Sequence, residues 1–122
     1  MNISSHANWI NYKDKEIIYI NYSGMLDDEL RDAIQEANEF IKSVEINDNL
    51  ILVDVRNSSS SEKLTVESLK ESAKIFKKYS KKVAVIGVTP AQQVILTFVN
   101  MFSGLGIKPF EDEEDAKNWL VE

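Results

Sequence analysis

A chain of 122 residues, 43% hydrophobic and 28% charged, is the size of one domain and excludes disorder of the whole chain. There is no cysteine, and the one histidine is His6. This excludes a disulfide framework, thiolate chemistry and cysteine- or histidine-built metal clusters, and argues against a Ser–His or Cys–His catalytic unit. With 14 Lys plus Arg against 20 Asp plus Glu, the net charge is −6, which disfavours general attraction to nucleic acid.

Residues 1–7 read as a polar leader with neither the cationic nor the apolar region of a signal peptide. Asn8–Tyr12 and Glu16–Tyr22 are predicted strands joined by a three-residue turn, since Ile, Tyr and Trp cluster there. After Gly24, the acids Asp27, Asp28 and Glu29 open a helix, where its dipole favours them. Leu30, Ala33, Ile34, Ala37, Phe40, Ile41 and Val44 then recur at helical spacing on one face. Asn49–Val55 is a short apolar run, predicted as a strand buried on both faces. A polar stretch follows, and Thr65 is the predicted N-cap of a helix burying Val66, Leu69, Ala73 and Phe76. Lys82–Val88 is a second buried strand. Thr89, Pro90 and Gln92 form a capping box ahead of a helix carrying Val94, Ile95, Phe98, Val99 and Phe102, which Gly104 and Gly106 end. Ile107–Phe110 is a short edge strand, and four acids from Asp112 open a last helix burying Ala116, Trp119 and Leu120.

The order β-β-α-β-α-β-α-β-α predicts one α/β domain over residues 1–122, with parallel crossovers and an antiparallel edge. The longest apolar run, Val94–Val99, is six residues and includes Thr97, against the roughly 20 that a membrane span needs. A cytoplasmic protein with no transmembrane segment is the expectation.

Several stretches resemble the STAS domain family. Tyr22-Ser-Gly-Met-Leu-Asp27 is similar to its G-x-L-D step from second strand to first helix, and Ile51-Leu-Val-Asp54 to the strand that delivers its functional loop. Val88-Thr-Pro-Ala91 followed by Met101-Phe-Ser-Gly-Leu105 is similar to its strand–helix unit ending in S-G-L. The tail, with Phe110, the acids and Ala116-Lys-Asn-Trp-Leu120, resembles the divergent SpoIIAA-like branch. The resemblance implies a mixed sheet with helices mostly on one face, and a regulatory or protein-binding module without enzymatic activity. Phosphorylatable members carry D-S-S-G or D-S-T-G at the loop after the central strand. Here that loop is longer and lacks glycine: counting from Asp54 lands on Ser61, and counting back from the helix lands beside Thr65.

Three candidate sites follow. In the loop 58–65, Ser61 or Thr65 is a candidate phospho-acceptor, because phosphate at a helix start meets free N–H groups and the positive dipole end. The alternative is a solvated loop with Thr65 as a simple cap. Ser58, Ser59 and Ser60 join Lys70, Lys74, Lys77, Lys78 and Lys81 as candidate partner-binding residues. Residues 62–82 carry +4, leaving −10 elsewhere, and those five lysines stripe one predicted helix face, fit for an acidic partner or anionic headgroups. The alternative is a wet outer face. Thirdly, Trp9, Tyr12, Tyr19, Tyr22, Phe98, Phe102 and Phe110 could line an apolar groove or a homodimer patch if the far sheet face is open; a lipid or other small hydrophobic ligand is the second functional reading. Asp54, at a strand end, is read as an acceptor of loop backbone hydrogen bonds. No cofactor is expected.

Overall fold

A computed structural model describes residues 6–58 and 63–122, and for residues 63–66, 95, 98, 99 and 102 the backbone alone. The elements are β1 (Ala7–Tyr12), β2 (Lys15–Asn21), α1 (Asp27–Val44), β3 (Asn49–Asp54), α2 (Lys63–Tyr79), β4 (Ser80–Ile86), α3 (Pro90–Ser103), β5 (Lys108–Phe110) and α4 (Glu113–Val121). Their order is the predicted one. The five strands lie in sequence order, β1 antiparallel to β2 and every other pair parallel.

Because each crossover steps to the next strand, α1, α2 and α3 share one face of the sheet. There Ile18, Ile20, Ile51, Val53, Val83 and Val85 pack on Leu30, Ile34, Phe40 and Ile41 of α1 and on Ala73, Ile75 and Phe76 of α2. Alternate residues point the other way. Ile17, Leu52, Ala84 and Ile86 bury against Ala116 and Leu120 of α4. Each fully buried Ile or Leu contributes about 1.5–3 kcal/mol, so β3 and β4, buried on both faces, anchor the molecule. The far face, whose openness was the condition for an aromatic groove or homodimer patch, is thus covered by α4. Tyr12 and Tyr19 are tied down on it by hydrogen bonds to Asn118 (2.7 Å) and Asp54 (2.8 Å).

Strand ends shift by one or two residues from the reading of the sequence, and both ends of α2 differ in a way that moves candidate residues. Helix α2 already runs from Lys63, so Thr65 stands inside its first turn and is not the N-cap. At the other end, α2 stops at Tyr79 and Lys81 belongs to β4. The stop has a cause: the buried Asn49 side chain donates to the carbonyls of Tyr79 (2.8 Å) and Ile46 (2.9 Å), and the Ser80 hydroxyl donates back to Phe76 O. The bonds to Tyr79 and Phe76 satisfy carbonyls that a continuing helix would have used.

Candidate functional site

The C-terminal edge of the parallel strands, where α/β sheets gather ligands and partners, is built around Asp54. Its carboxylate is 1% exposed. Oδ1 accepts from the backbone N–H of Arg56 (3.0 Å) and from its Nε (3.0 Å); Oδ2 accepts from Arg56 Nη2 (2.7 Å) and from the Tyr19 phenol (2.8 Å). The fork is bidentate, the strong geometry for an arginine–carboxylate pair. Burial pushes the Asp54 carboxyl up, but the hydrogen bonds from Arg56 and Tyr19 outweigh it and hold the group below its ordinary value. Burial first, then the bond to Asp54 and its charge, push the Tyr19 phenol up to about 12.

Arg56 also reaches Glu113 at the start of α4 (3.7 Å), which pairs with Lys117 (2.8 Å). Gly87, at φ +87°, lets the arginine pass: a Cβ there would stand 2.3 Å from Arg56 Cγ and 2.7 Å from its Cα and N. Arg56 O in turn accepts from Gly24 N–H (2.9 Å) in the β2–α1 turn. The edge is therefore a closed lock that clips the β3–α2 loop to its neighbours. Asp54, with both oxygens engaged and no exposure, is chemically a structural acceptor, as its place at a strand end suggests. The lock itself, with Arg56, Tyr19 and Glu113 as partners, was missed: only the alternation that puts Tyr19 beside Leu52 hinted at it.

Ser58 requires a correction. It is 5% exposed, because the turn beyond β3 folds it inward: its N–H (3.1 Å) and its hydroxyl (2.8 Å) both donate to Val55 O. Its carbonyl accepts from Gln92 Nε2 (2.7 Å). It joins the loop to the start of α3 and presents no contact surface. Ser59, Ser60 and Ser61 lie outside the described residues, as does the side chain of Thr65.

The lysines divide. Lys70 and Lys74 line an open groove of about 760 Å3 between α1 and α2, together with Arg31, Asp32, Glu67 and Glu71, a lining of charged and polar residues of both signs. Lys77 and Lys78 are exposed in the last turn of α2, and Lys78 lies over the Tyr79 ring at 5.4 Å. Lys81, though on β4, is exposed and stands where the register with β3 shifts, Asn49 pairing with Ser80 and Leu50 with Lys82. Lys77 Nζ comes 3.7 Å from where a Cβ on Gly104, the left-handed C-cap of α3, would be. This puts a cation beside the negative end of α3.

On α3 itself, Val94 is 70% and Met101 81% exposed, with Thr97 exposed between them. Spaced by three, four and seven, they make one outward stripe. The sequence reading placed Val94 on this helix without assigning it a face, and the structure turns it outward. On the inward side Leu96 packs against the core and Ser103 is buried. A helix apolar on every side gives its periodicity no way to tell the two faces apart. The side chains of Ile95, Phe98, Val99 and Phe102, the two phenylalanines among the candidate groove residues, lie outside those described.

A five-stranded mixed sheet with three helices on one face and a fourth behind it defines a STAS-type α/β domain. The chain belongs to the SpoIIAA-like family, whose model matches residues 17–121. Among solved structures it is similar to an uncharacterized protein of the DUF3478 family with a SpoIIAA-like fold from Shewanella loihica PV-4. The TM-score is 0.71 over 98% of each chain at 18% identity, a likeness of fold. No curated protein matches the sequence. Among the described residues, no helix is long and apolar enough to cross a membrane.

Proposed function

We propose that this domain is a non-enzymatic regulatory module that acts by binding another protein through the surface formed by α2 and α3. The observation that carries the reading is the outward stripe of α3. Val94 and Met101 are large apolar side chains left in water, and the end of α3 nearer Met101 meets the exposed Lys77 of α2; exposed apolar surface flanked by charge is the usual anatomy of an interaction site. The opposite edge offers less, since its one buried carboxylate is saturated by Arg56 and Tyr19.

Phosphorylation of Ser61 or Thr65 is the switch that fits this reading. Unlike α1 and α4, α2 has no acidic residue among the described residues of its first turn, and a phosphate added there would meet the positive dipole end. The loop before it is tied through Ser58 and Gln92 to the start of α3, a short route from the modified turn to the binding helix.

Native mass spectrometry of the protein purified gently from its own cells tests both parts. A discrete co-purifying protein, with a phosphate adduct on part of the population, is the expected spectrum. A bound mass of lipid size would overturn the reading in favour of a hydrophobic-ligand binder, and a chain without phosphate under every growth condition would remove the switch.

A further inference from the structure

The apolar stripe and the cations adjoin. Val94 and Met101 are two helical turns apart, about 10.5 Å along the axis, and Met101 sits one turn before Gly104, the C-cap that Lys77 reaches. Lys78 follows Lys77 in the last turn of α2, and Lys81 lies two residues past the end of that helix, both exposed. The surface thus offers apolar contacts at seven-residue spacing, with positive charge gathered at one end.

We propose that this surface takes an acidic amphipathic helix from a partner protein, its apolar side chains on Val94 and Met101 and its Asp or Glu residues against Lys77, Lys78 and Lys81. The inference rests on the protein-binding reading above and names the chemistry of the partner. Helix-in-groove recognition uses this pattern of apolar anchors with charged flanks.

Charge separates this occupant from two others. Residues 62–82 hold +4 in a chain of −6, so the remainder carries −10. A single helix feels chiefly the lysines within a Debye length, about 8 Å at physiological salt. A flat anionic membrane faces a broader side of the molecule and meets the repulsion of the remainder as well. A second copy fits poorly too. The acid-rich helices α1 and α4 have already buried their apolar faces, through Leu30, Ile34 and Ile41 in one and Ala116 and Leu120 in the other.

The test selects binders of the purified full-length chain from a displayed library of 18-residue helical peptides. The enriched peptides are then titrated by fluorescence anisotropy against three folded forms: wild type, Val94→Gln with Met101→Gln, and Lys77→Gln with Lys78→Gln and Lys81→Gln. We expect enriched sequences with apolar residues at seven-residue spacing and flanking Asp or Glu. Each multiple variant should bind about tenfold more weakly, as three modest charge pairs or two lost apolar contacts require, with the lysine effect collapsing in 0.5 M salt. Since all five positions are exposed, circular dichroism should be unchanged, and thermal midpoints should fall by only a few degrees where Lys77 leaves the end of α3. Enrichment without acidic residues, no enrichment, or equal binding by the variants would overturn the proposal. So would co-sedimentation of the wild type with vesicles of equal phosphatidylglycerol and phosphatidylcholine that the Val94→Gln/Met101→Gln variant loses. Peptides that bind both variants as tightly as wild type would defeat this partner chemistry and leave the protein-binding reading standing. A lipid-sized adduct in the native spectrum would defeat both.

Discussion

Asp54 keeps its charge at 1% exposure because one arginine supplies three donors and a tyrosine a fourth. Asp54→Asn leaves the shape but replaces the bidentate ion pair with weaker neutral bonds and turns a donor toward the guanidinium. Since Arg56 is half exposed and can be rehydrated, the cost should fall at about 2–3 kcal/mol, read as a lower urea midpoint with an unchanged slope. The pH dependence follows from the sign of the shift. The folded carboxyl titrates below the unfolded value of about 3.9, so its contribution is complete above that value and is lost as pH falls through the folded one. Between pH 4 and pH 2 the wild-type midpoint should therefore drop more steeply than that of Asp54→Asn; parallel profiles would contradict the account. From sequence, Asp54 could be read as a loop acceptor because it ends an apolar strand. Arg56 could not be read as its partner, since it lies in a turn without periodicity, and Tyr19 stands 35 residues away in sequence.

At the level of elements, α3 shows both what a pattern reveals and what it hides. Its start was legible: Thr89 Oγ1 accepts from Gln92 N–H (3.2 Å), Gln92 Oε1 accepts from Thr89 N–H (3.0 Å), and Pro90 takes the first turn. Local chemistry of this kind spans four residues and needs no tertiary information. Which side of α3 faces outward was not legible, because that is decided by neighbours. The lysine stripe was misjudged for a related reason: helical offsets can be counted past Tyr79, yet Asn49, far away in sequence, ends the helix there. Gln92 serves twice, as capping partner and as donor to Ser58 O. Thr89→Ala should cost about 1 kcal/mol. Gln92→Ala should cost about the same and also release the loop, seen as faster hydrogen exchange at residues 56–58 that Thr89→Ala does not produce. Equal exchange in both variants would dissociate the loop from α3.

Across the whole molecule, the two faces of the sheet have different tasks. The α4 side is closed: Lys82 donates to Trp119 O (2.9 Å) and Tyr12 to Asn118 (2.7 Å), and the charged chain Asp54–Arg56–Glu113–Lys117 seals the strand ends. The β5 edge is three residues long and carries Lys108 and Pro109, devices that discourage strand addition. The two most exposed large apolar side chains among the described residues, Val94 and Met101, lie on α3, whose end Lys77 of α2 reaches. The order of nine elements could be read from sequence because strand and helix periods differ so strongly; the division of labour between faces could not, since it depends on which helix lies behind the sheet. Photo-crosslinking in the native cells tests the central claim most directly, with a photoreactive amino acid at Met101 and, as control, at Trp9 on the opposite edge strand, also exposed. The account predicts a discrete protein adduct from position 101 and none from position 9, with the adducted peptide rich in Asp and Glu. Adducts of equal yield from both positions, or only lipid at 101, would contradict it.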